Sequence, residues 1–340
     1  MCDLGPPHRV RFVHEMFRAS FAHLAQEVQD PLSAGVEKPM QMSTKQWPNG
    51  AFYRGTMLAA AIFAAVIAPA MAGEPLKPFK DNLFSDQTQL ESRDGGDFQI
   101  IDYQELRDIN GRDQIPERRV KRAYVSLGVR RQQQNEMLDL PSGPLPIARV
   151  GADGGQAFTV IFIHGRGGDR RLGMNDYSFG GNFNRLKNLA VENGGTYYAP
   201  SVPSFDQAGV DAVAGLIGYA ASRSPGKPII LSCASMGSFL CWGITRDVAA
   251  VSQLSGMAIL GGATDPAFSK SAAYAAKLPI WFTQGSNDSV YAATDQIALY
   301  SQLHKSGYPT RFTLFNTGSH GTPVRMTDWR KVLNWLLTIG

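Results

Sequence analysis

The sequence predicts an α/β fold in which a mostly parallel sheet of about eight strands has helices on both faces. From residue 157 onward, short β-branched apolar runs alternate with segments whose apolar residues recur at helical spacing. This order is typical of parallel sheets. The run Phe158–Ile163, FTVIFI, is apolar throughout, as expected for a strand that is buried on both faces.

The composition is globular and excludes several classes of protein. The chain has 340 residues, of which 44% are hydrophobic and 18% are charged, unlike disordered, collagen-like or coiled-coil chains. A formal charge of +4 is too small to indicate a nucleic-acid partner. The three cysteines exclude a disulfide scaffold. Neither C-x-x-C nor H-E-x-x-H occurs, so we expect no metal and no cofactor.

The N-terminal region has the pattern of an export signal. The segment 55–73 holds no charged residue, its centre Met57–Ala68 is apolar, and it ends in small residues. A secretory signal peptide cleaved after Ala72 is predicted, and hence a periplasmic or secreted protein that meets the membrane only transiently. A membrane anchor is the alternative, because the uncharged run of 19 residues could span a bilayer. The predicted domains are the extension and signal peptide at 1–72, a polar lead-in at 73–118 and the main domain at 119–340.

We expect two free thiols despite the predicted export. Cys233 and Cys241 are eight residues apart, one at the end of a predicted strand and the other on the following helix. We expect this placement to exceed the Cα separation of about 7 Å that a disulfide permits. The thiols are therefore predicted to be buried and unpaired.

Strand signals are sparse before residue 157. In the lead-in only Phe98–Tyr103 has the composition of a strand, and it could be a first edge strand. Ala123–Val129 and Leu145–Val150 are predicted as two antiparallel strands around a polar connection.

Strands and helices alternate after residue 157. The helix at 208–221 has its apolar residues on one face, and Ser204 or Asp206 could cap it. The last helix, with apolar residues from Trp329 to Leu336, begins after Thr327 or Asp328. The strands predicted after Phe158–Ile163 are Thr196–Ala199, Pro228–Cys233, Met257–Leu260, Ile280–Thr283 and Arg311–Phe315. The other predicted helices are 182–193, 238–247 and 295–304.

The turn after the strand Pro228–Cys233 resembles a nucleophile elbow. In the sequence CASMG, which begins at Cys233, Ser235 stands at a strand-to-helix turn between small residues. Small residues are needed there because the turn is sharp and strained. Cysteine replaces the usual first glycine and is small enough to fit. Ser235 is the candidate nucleophile, and an ordinary strand-to-helix turn is the alternative.

A glycine-rich loop follows the strand that ends at Ile163. Its sequence HGRGGD, from residue 164, can direct backbone N–H groups at an oxyanion. We expect Arg166 and Met236 to supply these donors, with Gly167 as the alternative. A dinucleotide site is not expected, because G-x-G-x-x-G would need glycine where Arg170 stands.

An acid and a base follow at later strand ends. Asp288 comes shortly after one predicted strand, and His320 lies between the last strand and the last helix. The order Ser235, Asp288, His320, with spacings of 53 and 32 residues, belongs to one serine-triad arrangement and differs from the others. Asp265, one strand earlier, is the alternative acid.

The other two histidines of the main domain are expected to have different roles. His164 precedes the glycine-rich loop and is expected to pack against it or orient it. His304 lies on a predicted helix and is expected at the surface. By elimination His320 is the base.

The chain from about residue 158 to residue 340 resembles the α/β-hydrolases. The residues that carry this resemblance are HG at 164, C-x-S-x-G at 233–237, Asp288 and His320. The nearest likeness is to the small esterases of the carboxylesterase/phospholipase and dienelactone-hydrolase type. The resemblance implies an eight-stranded, mostly parallel sheet and hydrolysis through an acyl-enzyme. The insertion between the sixth and seventh strands, 261–278, is too short for a large lid.

Basic and aromatic residues near the glycine-rich loop are candidates for substrate binding. Arg170 and Arg171, with Arg166, could bind an anionic group, and a solvated loop is the alternative. Tyr177 could line an acyl or alcohol pocket. Further candidates for the pocket are Phe179, Asn182, Phe183, Asn184 and Arg185.

These patterns predict an exported serine hydrolase whose partner is a small-molecule ester. Ser235 would attack the acyl carbon, His320 would accept and return the proton, and Asp288 would fix the imidazole tautomer. Activity should fade in acid, because only a neutral imidazole accepts a proton. A thioesterase, lysophospholipase, dienelactone hydrolase or acyltransferase would use the same residues. A non-catalytic envelope binding protein is the alternative from another class. The oligomeric state is not predicted.

Overall fold

The computed structural model describes residues 76–339, in which one sheet of ten strands forms the centre. The predicted extension and signal peptide at 1–72 lie outside the described residues. The strands of the sheet are β1 Gln89–Arg93, β2 Phe98–Asp102, β5 Gln133–Leu140, β6 Gly143–Val150, β7 Thr159–Ile163, β8 Thr196–Pro200, β9 Ile229–Ala234, β10 Gly256–Leu260, β11 Ile280–Gly285 and β12 Thr310–Asn316. A separate hairpin pairs β3 Asp113–Ile115 with β4 Arg119–Val120.

The strand order confirms the predicted fold class. Across the sheet the order is β5, β6, β8, β7, β9, β10, β11, β12, β2, β1. From β8 to β2 all neighbours are parallel, whereas β6 and β5 at one edge and β1 at the other are antiparallel to their neighbours. The first eight strands in this order form the mostly parallel sheet that the sequence predicted. The two strands beyond the expected eight, β1 and β2, come from the predicted lead-in.

Helices cover both faces of the sheet. The longer helices of the described chain are α3 Asn182–Glu192, α4 Gln207–Arg223, α5 Gly237–Ile244, α8 Ala293–Lys305 and α10 Trp329–Thr338. The shorter ones are α1 Asp81–Phe84, α2 Arg170–Met174, α6 Val248–Val251, α7 Ala272–Ala275 and α9 Thr322–Met326. Asp206 caps α4 and Asp328 caps α10, so each helix uses one of the two caps that the sequence allows.

Two large apolar clusters and a small third one form the core of the described residues. Of the two large clusters, one contains α4, α5 and one set of side chains from the central strands, and the other contains α3, α10 and the alternating set. This division follows from the strand geometry, because successive side chains point to opposite faces. Between β10 and β11 the chain forms only a short turn and the four-residue α7, so no large lid is inserted there.

One predicted strand is wrong. The segment 123–129 forms parts of two short 3₁₀ turns, and β6 pairs instead with β5 on one side and β8 on the other. Along β5 most side chains are exposed or half-buried and Leu138 is the buried one, so few apolar residues mark this edge strand in the sequence. Of the apolar residues in 123–129, Val129 is buried, whereas Leu127 is 42% exposed. Among residues 76–339, no helix is both apolar enough and long enough to cross a bilayer.

Candidate active site

Ser235 lies at the sharp turn between β9 and α5. Its φ of 52° is in the left-handed region, which residues other than glycine rarely adopt. The Ser235 amide donates to the carbonyl of Leu260 at 3.0 Å, and the Ser235 carbonyl accepts from the amide and the hydroxyl of Ser238. The turn is therefore held on both sides and presents Oγ at the carboxyl end of the sheet.

Three side chains from successive strand ends meet at this turn. Ser235 Oγ is 2.9 Å from His320 Nε2, and His320 Nδ1 is 2.8 Å from Asp288 Oδ2. The Asp288 side chain is fully buried, whereas 27% of the His320 side chain is exposed. The geometry thus gives one chain of hydrogen bonds that runs from a buried carboxylate to a hydroxyl that solvent can approach.

The Asp288 carboxylate is held by four donors. Oδ1 accepts from the amides of Val290 and Tyr291, and Oδ2 accepts from Gln284 Nε2 and from His320. Burial opposes ionisation, but the hydrogen bonds from His320, Tyr291 and Val290 outweigh it and lower the pKa of Asp288. Gln284 at the end of β11 was missed by sequence analysis, because no motif marks a glutamine in this role.

The alternative acid lies in another set of contacts. Asp265 accepts from Arg246 at 2.6 Å and from the amide of Ala267 at 3.0 Å. Among the described residues, His320 shares a hydrogen bond with Asp288 and with Ser235 only. The geometry therefore favours Asp288 over Asp265 as the partner of the imidazole.

The glycine-rich loop lies directly against the serine. A Cβ on Gly165 would lie 2.8 Å from Ser235 Cβ, so only glycine permits this approach. The Gly168 amide bonds the Gly165 carbonyl at 3.1 Å and closes a turn that exposes Arg166 and Gly167. Within residues 76–339, the amides of Arg166, Gly167 and Met236 have no hydrogen-bond acceptor. These predicted donors remain available to a ligand.

His164 fixes the base of this loop. Its Nδ1 bonds the Gly165 carbonyl at 2.8 Å, and its Nε2 accepts from the Val202 amide at 3.3 Å. Burial lowers the pKa of His164, and the bond to Gly165 opposes this only in part. The ring is therefore a neutral structural element of the loop, with the proton on Nδ1.

The helix after His320 is anchored to the lead-in. Arg325 in α9 donates to both carboxylate oxygens of Asp113 in β3, at 3.0 and 2.8 Å, and both residues are buried. Buried ion pairs of this geometry orient the segments that carry them. Neither residue was predicted from the sequence, because they are 212 positions apart and neither lies in a motif.

The three arginines of the glycine-rich loop and α2, which are Arg166, Arg170 and Arg171, differ in whether they form an ion pair. Arg171 bonds Asp169 at 2.6 Å with 87% of its side chain exposed. The guanidinium groups of Arg166 and Arg170 have no hydrogen bond or ion pair within the described part of the chain, and Arg166 lies near enough to Tyr291 to interact with it electrostatically. The guanidinium of Arg119 lies over the ring of Tyr177, with its central carbon 3.9 Å from the ring centroid.

Four of the other pocket candidates are buried away from solvent, and the fifth, Phe179, is half-buried. Asn184 and Asn182 bond backbone carbonyls and neighbouring side chains, and Arg185 pairs with Asp81 and Asp328. These three contribute to packing of the fold. Phe183 lies in the core. Phe179 packs beside Gly321, the residue that follows His320, because a Cβ built on Gly321 would lie 3.7 Å from the Phe179 ring.

An apolar surface adjoins the imidazole. The Tyr291 ring lies 5.7 Å from the His320 ring, and the Phe239 ring lies 6.3 Å from that of Tyr291. Phe239 is 42% exposed and Val290 is 56% exposed. We call Phe239, Val290 and Tyr291 the aromatic rim. It was missed because its members are scattered over the turns that carry Ser235 and Asp288.

The prediction of free thiols is wrong. Cys233 and Cys241 form a disulfide with Cα atoms 6.2 Å apart. The sharp turn at Ser235 folds α5 back along β9, so residues eight positions apart come within the range that a disulfide permits. Among residues 76–339, no group of three or more His, Cys, Asp and Glu side chains could hold a metal ion.

Comparison with known proteins gives likenesses of fold only. No protein-family model matches the chain, and no curated protein matches it. One similar solved structure is a thermostable esterase, with a TM-score of 0.48 and 17% identity over 61% of this chain and 63% of that one. The chain therefore spans less than two thirds of that esterase.

Two others are an esterase from Pyrococcus furiosus and an α/β serine hydrolase without a lid from Xanthomonas campestris. The first has a TM-score of 0.44 and 12% identity over 60% of this chain and 91% of that one. The second has a TM-score of 0.43 and 20% identity over 61% of this chain and 94% of that one. At these identities and scores the likenesses carry no argument about the reaction, so the assignment depends on the geometry of this chain.

Proposed function

We propose that this chain, which has the α/β-hydrolase fold, is a serine hydrolase that cleaves carboxylic esters through an acyl-enzyme. The observation that carries the proposal is the hydrogen-bonded series Ser235 Oγ, His320 and Asp288, at 2.9 and 2.8 Å. A serine hydroxyl is a weak nucleophile, and a neighbouring imidazole whose far nitrogen is bound to a carboxylate activates it.

Each member of the series has one task in the reaction. His320 Nε2 takes the proton of Ser235 as Oγ attacks the acyl carbon, and it returns the proton to the leaving alcohol. Asp288 holds the proton on Nδ1, so that Nε2 stays a base, and it stabilises the imidazolium that forms. Water then repeats the sequence on the acyl-enzyme and releases the acid.

The open amides beside Ser235 support stabilisation of the oxyanion. Met236 N–H lies at the start of α5, and Arg166 N–H lies in the loop that contacts Ser235 through Gly165. Donors in place before the reaction lower the barrier without reorganisation, by about 10²–10³-fold in rate for each donor. Gly167 N–H is the alternative to Arg166.

The aromatic rim indicates the kind of ester. Exposed apolar side chains beside His320 favour a substrate that has an apolar acyl or alcohol group next to the scissile bond, because covering them removes apolar surface from water. The unpaired Arg166 favours an anionic group elsewhere on the substrate. Thioesters and lysophospholipids would fit the same chemistry.

We also propose that the chain is exported. The Cys233–Cys241 disulfide supports this, because disulfides persist in oxidising compartments and are rare in the cytosol. The predicted signal at 55–73 supports it from the sequence.

The test uses the purified protein, a fluorophosphonate probe and p-nitrophenyl acetate, with Ser235→Ala as the variant. We expect the parent to be labelled and to hydrolyse the ester, and Ser235→Ala to lose both, with turnover reduced up to about 10⁶-fold. Ser222→Ala is the control for general reactivity of serine, because Ser222 is an exposed residue of α4 whose hydroxyl bonds the Tyr219 carbonyl, and this variant should still be labelled. Hydrolysis retained by Ser235→Ala, or a folded parent that is not labelled, would refute the proposal.

A further inference from the structure

A disulfide spans the turn that carries the nucleophile. Cys233 lies on β9 two residues before Ser235, and Cys241 lies on α5 six residues after it. The bridge thus closes a short ring of chain that contains Ser235. Both cysteines are fully buried, and nothing in the proposed reaction uses either of them.

The ring contains backbone that needs support. Ser235 has a φ of 52°, and such a conformation persists only where the surroundings hold it. Part of this support comes from the hydrogen bond that the Ser235 amide donates to Leu260 and from those that the Ser235 carbonyl accepts from Ser238. The disulfide supplies a covalent part, because it fixes the separation of the two elements that meet at the turn.

The position of α5 sets two of the reacting groups at once. Ser235 Oγ and Met236 N–H both belong to the turn that enters this helix. A Cβ on Gly237 would lie 2.7 Å from the His164 carbonyl, so the start of α5 lies directly on the end of β7, where the glycine-rich loop begins. Any movement of α5 relative to β9 would therefore shift Ser235 against His320 and against the loop together.

We propose that the Cys233–Cys241 disulfide is a positioning element of the hydrolytic site. It holds α5 on β9 so that Ser235 Oγ and Met236 N–H stay aligned with His320 and the glycine-rich loop. Opening the bridge lowers turnover without unfolding the protein. This inference rests on the proposed function.

Reduction of the bridge is a defined two-electron step. Dithiothreitol supplies two electrons and two protons, the S–S bond breaks, and Cys233 and Cys241 become thiols. The dithiothreitol leaves as its cyclic disulfide. Because the bridge is buried, the thiol form is prepared by unfolding and refolding under reductant, and the gain of two hydrogens is verified by intact mass.

The experiment compares the disulfide form, the thiol form and the double variant Cys233→Ala/Cys241→Ala. We expect kcat for p-nitrophenyl acetate to fall about tenfold or more in the thiol form and in the variant, because a misplacement of about 1 Å can cost about 10²-fold. KM should stay within about twofold, since the loss is of alignment in the transition state. The rate of fluorophosphonate labelling should fall in parallel, and reoxidation should restore the thiol form but leave the variant unchanged.

A remote destabilising variant separates positioning from stability. Leu254→Ala removes a buried side chain just before β10, at the end of the sheet opposite Ser235, and should lower Tm while kcat at 25 °C is unchanged. Equal kcat in the disulfide and thiol forms, a change in KM alone, or an equal loss in Leu254→Ala would each overturn the positioning role. A disulfide form that neither hydrolyses esters nor reacts with the probe would overturn the proposed function as well, which distinguishes the two failures.

Discussion

Replacement of Asp288 by asparagine tests the proposed site most directly. The Asp288 carboxylate accepts four hydrogen bonds, two at Oδ1 from backbone amides and two at Oδ2 from Gln284 and His320. Asparagine has one oxygen, so one pair of donors must face its NH₂ group instead. The backbone amides cannot rotate away, and we therefore expect the oxygen to stay with them.

The magnitude follows from the tautomer that this change forces. With NH₂ facing His320, Nδ1 must become the acceptor and the ring proton must move to Nε2. Nε2 then no longer accepts from Ser235 Oγ, at present 2.9 Å away. Forcing the wrong tautomer in a serine triad costs about 10⁴-fold in kcat, which is about 5.4 kcal/mol at about 1.36 kcal/mol per tenfold.

The assay is steady-state hydrolysis of p-nitrophenyl acetate by the parent, Asp288→Asn and Asp265→Asn. Asp265 is the matched control, because its carboxylate pairs with Arg246 and the Ala267 amide. We expect the control to stay within about tenfold of the parent. The reasoning is refuted if Asp288→Asn keeps more than about a tenth of the parental kcat, or if Asp265→Asn loses as much as Asp288→Asn.

Two further predictions concern pH and substrate preference. Burial lowers the pKa of His164, so the unfolded state binds its proton more tightly, and the free energy of unfolding should be highest above about pH 6.5 and fall below it. The urea concentration at the midpoint of unfolding should decrease from pH 7.5 to pH 5.5 by less in His164→Gln than in the parent. An equal decrease in the two proteins would contradict this prediction. Phe239→Ser should lower the ratio of kcat/KM for p-nitrophenyl butyrate to kcat/KM for p-nitrophenyl acetate. The expected decrease is about fourfold for each methylene of the acyl chain that the Phe239 ring covers, because burying a methylene contributes about 0.8 kcal/mol. An unchanged butyrate-to-acetate ratio would exclude the aromatic rim as the contact.

The parts of the fold that the sequence predicted are those with local signals. The strand β7 is a continuous apolar run, and the turn at Ser235 needs small neighbours, so both can be recognised from a few consecutive residues. The candidate site follows from the same logic, because parallel strands bring their carboxyl ends to one edge of the sheet. Ser235, Asp288 and His320 meet for that reason.

The parts that were missed depend on contacts distant in sequence or on weak patterns. The edge strand β5 is largely exposed, so its composition is polar. The Arg325–Asp113 pair joins α9 to the lead-in, and no spacing rule predicts such a pair. The strand β1 was missed because all five of its residues are exposed. The strand β2 was predicted at Phe98–Tyr103 as a possible edge strand, but it lies one strand in from the edge, because β1 pairs with its outer side.

The disulfide was missed for a more instructive reason. Residues eight apart are too distant to be bridged if a strand and a helix continue in the same direction. They are close if the turn between them reverses the chain, and the elbow at Ser235 does so. The prediction of the elbow and the prediction of free thiols were therefore incompatible, because an elbow brings Cys233 and Cys241 together. Cysteine in place of the usual glycine is a departure from the motif, but together with Cys241 it supports the elbow. The same pair supports the proposed export, because disulfides persist in oxidising compartments and are rare in the cytosol.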